Sequence, residues 1–348
     1  MKISKHNIYI LLYLLFAFLM FYAFISDDYF TNYFYRFDAD AVTYVEIVNS
    51  FDSYWTLFGL THNSIGPTLI LLISGNNNLI VFIFNISLLI IIFIMVFNAY
   101  NDKINKLKFT FLFLINPLLL GSLLTVNKEI IGLLSVAILA CYFKTNNKFH
   151  FILSLILSFI TRWQSLFVFI LFYFINSRFN PLKNKRFKFI ILFCIILSAI
   201  LPSLNSLISD ELYTIVGQDD KLFGIIELFN TLQNNYLYIL AVVPKVLSNL
   251  FGNIFRIFTI IINPQNIDFT DIYNNVFILG HQLIMFFMAI YFVIKKKLFL
   301  RSDILYFAII YLIIFSTSPS IQYRYMFPLY VLFCITLSLK PINQTMNK

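Results

Sequence analysis

From Leu79 to Phe97 the chain reads LIVFIFNISLLIIIFIMVF, with no charged residue. About twenty consecutive apolar residues are what a helix needs to cross the roughly 30 Å hydrocarbon core of a bilayer. Similar runs recur along the chain, from Ile8–Ile25 to Met326–Leu339. Of the 348 residues, 60% are hydrophobic and 12% charged, and the mean hydropathy is +0.84. A soluble domain has no use for so much apolar surface. The expected fold is therefore an all-α polytopic membrane protein, residues 1–348 forming one integral membrane domain.

The charges are sorted along the chain. Met1–Asn7, Asn101–Lys108, Lys144–Lys148, Ser177–Lys188, Lys295–Asp303 and the tail from Lys340 hold 18 of the 25 Lys and Arg residues. They hold only Asp102 and Asp303 among the 16 acids. Cytoplasmic loops are enriched in Lys and Arg, so these segments and both termini are expected on the cytoplasmic side. A nucleic-acid-binding protein would not segregate its charge in this way, which removes that reading of the net charge of +9. The three cysteines lie inside apolar runs and make neither a disulfide framework nor a metal-ligand spacing. No phosphate-binding Gly-rich loop is present, so ATP-driven chemistry within this chain is not expected.

About ten crossings follow from the apolar runs. Ile8–Ile25 reads as a retained signal anchor. Residues 26–66 form a long first external loop, in which DADAVTYVEIVNSF spaces Val42, Val45, Val48 and Phe51 for a short surface helix. Pro67–Ser74 reads as a second short helix, stopped at Gly75. Phe109–Thr125 reads as one outward span and Ile130–Phe143 as its return. Phe149–Asn176 has basic segments at both ends. At 1.5 Å per residue its halves reach roughly 18 and 21 Å, so a short or re-entrant helix pair turning at Thr161-Arg162 is expected. Phe189–Asn205 leads out to a second external loop, 206–238. Leu240–Ile262 is interrupted by Pro244, Lys245, Gly252 and Arg256 and reads as an interfacial or re-entrant pair.

On this topology the unusual polar residues share the outer face. Asp38 or Asp40 is a candidate general base, able to take the proton of a sugar hydroxyl as that oxygen attacks. Either is equally a solvated acid, with Asp40 capping the surface helix. Asn127 is placed to cap a helix from Lys128, and Glu129 suits that positive helix end. Lys128 does not, and calls for an anionic partner: Glu129, an Asp of the first loop, or a phosphate. Arg162 lies within an apolar stretch, where burial costs roughly 2.5–3.5 kcal/mol on insertion scales; it either snorkels or serves a site. Arg324, between Tyr323 and Tyr325, is an interfacial anchor or a phosphate ligand. On this reading Arg162→Ala is expected to abolish activity at near-normal membrane abundance. Cations holding a lipid phosphate beside a carboxylate imply glycosyl transfer from a polyprenyl-linked donor.

RFDADAVTYVEIVNSF and THNSIGP in the first loop resemble the corresponding loop of the GT-C class of integral membrane glycosyltransferases. NPLLLGSLLTVNKEIIGLLSVAIL, TRWQSLFVFILF and QYRYMFP are similar to bacterial O-antigen and capsule repeat-unit polymerases. The resemblance implies Asp38 or Asp40 as base, with Glu129 the alternative, and Lys128, Arg162 and Arg324 as a pyrophosphate clamp. Asn127, Gln164, Gln322 and Tyr323 are expected in support. It further implies a bacterial cytoplasmic membrane, a polyprenyl-linked oligosaccharide donor and acceptor, and a chain-length regulator and flippase as partners. No metal site is legible, although an acidic outer face has room for a divalent ion. Two alternatives stay open: transfer of a single sugar from polyprenyl monophosphate, and a lipid-linked oligosaccharide flippase.

Overall fold

The structure is a computed structural model describing residues 4–24, 39–50, 64–216, 223–252, 254, 273–295, 302–318 and 323–340. Asp38 and Gln322 lie outside the described residues. Regular structure among the described residues is helical, apart from one isolated antiparallel bridge, Ile104–Leu339. In chain order the helices are α1 (Lys5–Phe24), α2 (Ala39–Asn49), α3 (Ile65–Ser74), α4 (Asn78–Tyr100) and α5 (Lys106–Leu114). Next come α6 (Pro117–Leu124), α7 (Glu129–Thr145), α8 (Lys148–Thr161), α9 (Trp163–Asn176) and α10 (Arg186–Val216). The last are α11 (Phe223–Asn234), α12 (Tyr238–Phe251), α13 (Leu279–Ile294), α14 (Asp303–Phe315) and α15 (Tyr330–Ser338).

Four stretches are helical, long and apolar enough to cross a membrane: Lys5–Ala23, Asn78–Lys103, Arg186–Ser203 and Val276–Ile294. The pair α5 and α6 makes a fifth if taken as one broken span. The remaining apolar helices are shorter, so the expected ten crossings exceed what helix length alone supports.

α7 organises the bundle. Every residue from Glu129 to Cys141 is buried, and a helix apolar on all sides belongs in the centre rather than at the edge. α4, α8 and α15 pack around it, together with the 3-10 turn Tyr323–Leu329. α1 is peripheral, seated through Ala17 and through Phe21, whose ring stacks on Phe82 at 4.5 Å.

Three boundaries differ from those read off the sequence. Phe109–Thr125 is not one continuous helix: α5 and α6 meet at 70°. The break is local chemistry. Asn116 accepts from the Leu118 N–H, and Pro117, at the first helical position, has no N–H to continue α5. Asn116 also bonds His281 Nδ1 at 2.8 Å, and a Cβ on Gly280 would stand 2.6 Å from the Pro117 ring. The break is thus held against α13. Second, α10 runs on from Asn205 to Val216, since no proline or glycine lies between Pro202 and Gly217 to stop it. Third, the stretch expected to begin at Met326 opens earlier, as a 3-10 turn at Tyr323 with Pro328 inside it.

The short helices predicted between Phe149 and Asn176 are α8 and α9, parted at Arg162, whose extended backbone (φ −157°, ψ 106°) ends the first and begins the second. α3 stops at Gly75, which takes a left-handed φ of 59°. α3 sits directly on the α8 terminus: a Cβ at Gly66 would stand 2.8 Å from the Ile160 carbonyl oxygen and 3.1 Å from Ile131 Cδ1. The nearer obstacle is backbone and cannot rotate away. Gly66→Ala is therefore expected to cost about 1–3 kcal/mol by overpacking. A lowered thermal midpoint of the detergent-solubilised protein would register it; an unchanged midpoint would mean that α3 does not bear on α8 as described.

Candidate functional site

Four chain segments distant in sequence deliver charged side chains to one end of the bundle. α2 brings Asp40, the α6–α7 junction brings Lys128 and Glu129, the α8–α9 break brings Arg162, and the 3-10 turn brings Arg324.

Each segment is shaped for this by its own sequence. In α2 the residues turned inward are Ala41 and Tyr44, with Val45 and Val48 half-buried beside them. This i, i+3, i+4, i+7 stripe seats the helix on α3. Val45 and Val48 belong to the expected stripe as well; Phe51 and the Val42 side chain lie outside the description. Asp40 is in the first turn of the helix, not at its cap. There the positive helix end favours a carboxylate.

The α6–α7 junction is tied by two asparagines. Asn85, buried within α4, donates to the carbonyls of Leu123 (3.1 Å) and Thr125 (2.9 Å). Asn127 donates to Ser122 and Thr125 oxygens, and its own oxygen accepts from the Glu129 N–H at 3.0 Å. The helix therefore begins at Glu129 rather than Lys128, and Asn127 still satisfies one of its free N–H groups. Lys128 is left at the N-cap position, directed outward.

The cluster has an inner and an outer part. Inside, Arg162 Nη2 donates to Glu129 Oε1 at 2.9 Å, the two side chains being 4% and 1% exposed. The Arg162 guanidinium lies 4.1 Å from the centre of the Tyr325 ring, a desolvated cation–π contact. Tyr325 is held in turn by its carbonyl, which accepts from Tyr311; the Tyr311 hydroxyl also lies 3.3 Å from Ser165 Oγ. Arg162 Nε and Nη1 and Glu129 Oε2 are buried without a hydrogen-bond partner among the described residues. Outside, Asp40 Oδ2 stands 3.0 Å from Arg324 Nη2 and 3.5 Å from Lys128 Nζ. This carboxylate is 31% exposed and Arg324 26%.

Among the described residues, three cations thus face two carboxylates. Burial, the largest influence on Asp40, pushes its pKa up; Arg324, Lys128 and Arg162 together outweigh it and hold the carboxyl below its ordinary range. A carboxylate so held is a weak base while its cations are free to hold it.

Asp40, Lys128, Glu129, Arg162 and Arg324 are brought together. Asn127 supports the junction. Gln164 is half-buried in the first turn of α9, and Tyr323 lies against Gly252. Tyr325 was read from sequence only as an interfacial flank of Arg324; Asn85, Ser165 and Tyr311 were not singled out. A lone Asn inside the apolar α4 was a usable signal for the first; nothing local marks the others. Among the described residues no group of three His, Cys, Asp or Glu side chains is placed to hold a metal ion.

A second buried polar group involves α11, α12 and the end of α14. Lys245 donates to Gln233 Oε1 (2.6 Å) and the Ser318 carbonyl (3.0 Å), while Gln233 donates to the Thr317 carbonyl. This accounts for the lysine that interrupts the run Leu240–Ile262, and it ties α12 to the residues leading into the Tyr323 turn. Comparison with protein-family models, with curated proteins and with solved structures finds no match to this chain.

Proposed function

We propose that the chain is a membrane-embedded glycosyltransferase that moves a glycan from a polyprenyl pyrophosphate onto a second lipid-linked unit, polymerising surface-polysaccharide repeats. The observation that supports this reading is the convergence of cations on a half-open carboxylate: Lys128 and Arg324 are both drawn to Asp40, with the Arg162–Glu129 pair behind them.

The chemistry follows from competition. A pyrophosphate arriving at Lys128 and Arg324 takes them as its own counter-charges. Asp40 then loses the partners that hold its pKa down and becomes a better base. It accepts the proton of the acceptor hydroxyl as that oxygen bonds to the sugar carbon. The bond from that carbon to the phosphate oxygen breaks, and the negative charge growing on the leaving group is met by the cations. Arg162 holds Glu129 and the Tyr325 turn, so it orients Arg324 as well as adding charge. In this proposal the cluster faces away from the cytoplasm of a bacterial inner membrane and both termini lie in the cytoplasm. Transfer of one sugar from a polyprenyl monophosphate would use the same residues.

A gel of surface polysaccharide from a host lacking the gene tests this. A ladder collapsed to core plus one repeat unit, restored by the wild-type gene and not by Asp40→Ala, is the expected result. A ladder of normal length built from a shortened unit would transfer the proposal to the single-sugar reaction. Loss of all outward-facing lipid-linked product would identify a flippase, and a wholly unchanged ladder would remove the proposal.

A further inference from the structure

At the other end of α7 and α9 lies a cavity of about 650 Å³. α7 has 17 residues and α9 has 14, so it stands roughly 20–25 Å from the Arg162–Glu129 pair at 1.5 Å per residue. It lies at the opposite end of these helices and plays no part in the reaction proposed above.

The cavity is two-sided. Its wall is aromatic: Phe172 is buried against Phe143 with ring centres 5.1 Å apart, and Phe151 stacks on Tyr173 at 5.0 Å. Its rim is cationic. Arg178 and Lys183 stand on the connection between α9 and α10, and Arg186 opens α10. One acid, Asp303, also lines it, and that acid is already paired with Arg186. Arg186 is fixed further by lying over the Tyr306 ring at 4.7 Å.

The rim is built, not trailing. Asn180 donates to the Ile175 carbonyl at 2.7 Å and accepts from the Leu182 N–H at 2.9 Å, and the Lys185 N–H bonds the Leu182 carbonyl. These bonds fold the connection back over the end of α9 and hold Arg178 and Lys183 at the mouth. With Asp303 neutralised by Arg186, those two charges have no acidic counterpart lining the cavity among the described residues.

A ligand that satisfies both parts carries a phosphate and a hydrocarbon portion together. A free phosphate would use the rim and leave the aromatic wall idle. We infer that this cavity binds the headgroup and upper acyl region of an anionic glycerophospholipid, Arg178 and Lys183 on the phosphate and the Phe143–Phe172 wall against the chains. Basic pockets between membrane helices are recognised in this way by anionic lipids.

The test uses the full-length protein in phosphatidylcholine nanodiscs doped with phosphatidylglycerol, with native mass spectrometry counting the lipids retained on release. Wild type is expected to keep one phosphatidylglycerol in preference to phosphatidylcholine. The double variant Arg178→Ala, Lys183→Ala should retain it about thirty-fold less well, from the usual worth of two cations at an anionic surface. Both side chains are exposed, and an unchanged thermal midpoint will show that the fold is intact. The control is Lys148→Ala with Lys188→Ala, which removes the same charge outside the cavity. Equal loss in the control would reduce the effect to the general charge of that face and overturn the inference. So would displacement by millimolar inorganic phosphate as readily as by short-chain phosphatidylglycerol, since the site would then take phosphate without lipid.

Discussion

Arg162→Ala should lose both surface polymer and folded protein, because it strands Glu129. That carboxylate is 1% exposed and its one described hydrogen-bond partner is Arg162. Breaking a buried ion pair from one side typically costs about 3–5 kcal/mol, whereas replacing both partners by apolar groups of similar size is often neutral. Arg162→Ala should therefore show a lowered thermal midpoint and reduced membrane abundance. This revises the expectation from sequence that abundance would stay near normal. The double variant Arg162→Met, Glu129→Leu should recover much of the stability while remaining inactive. Thermal unfolding in detergent, with immunoblots of membranes, reads the first effect; the polysaccharide ladder reads the second. Recovery of the ladder in the double variant would mean that the pair is structural only, and the proposed site would shrink to Asp40, Lys128 and Arg324. Arg162→Lys should fall between, since lysine keeps the charge but loses the planar contact with Tyr325.

The second large effect concerns Asp40. Asp40→Asn is expected to lower turnover by about 10²–10⁴, the usual contribution of a positioned general base. It should at the same time tighten binding of a lipid pyrophosphate, because the carboxylate that competes for Lys128 and Arg324 is gone. Weaker binding together with lost turnover would instead mean that Asp40 organises the cations and does not compete for them. The pH dependence has a definite sign. In the free protein the Asp40 pKa is depressed, so the carboxylate is charged above that low value and its ion pairs are lost only as pH falls through it. Once substrate takes the cations, the pKa rises. The acid limb of kcat, which reports the loaded enzyme, should therefore lie at higher pH than that of kcat/KM, which reports the free one. Coincident limbs would remove the competition from the mechanism.

What could be read in advance divides along range in sequence. The helical class, the break at Arg162 and the stop at Gly75 depend on neighbours within a few residues. Short-range chemistry is visible in a string of letters. The α5–α6 break was legible on the same grounds and was passed over: Asn116-Pro117 is a cap followed by a residue made for the first helical turn. Its apolar flanks made the stretch look continuous. Pairings across long separations were of another kind. That Arg162 meets Glu129, 33 residues away, or that Asn85 holds the chain 40 residues on at Thr125, depends on the stacking of α4, α7 and α8. Such stacking is decided by packing over whole helices. Lys128 was read as needing an anion, and Asp40, 3.5 Å away, is one.

α8 and α9 each have 14 residues, roughly 21 Å of helix against some 30 Å of hydrocarbon. Both turn large side chains outward near their junction, Phe159, Trp163 and Phe167. Lipid beside that flank has to thin, or tilt its tails, to meet them. In the orientation proposed above, the charged cluster behind Arg162 would then sit at the foot of a dimple in the outer leaflet. A headgroup drifting along the membrane would reach it by sinking with its own leaflet rather than by leaving it. The shortness of two helices would thereby become a sideways entrance.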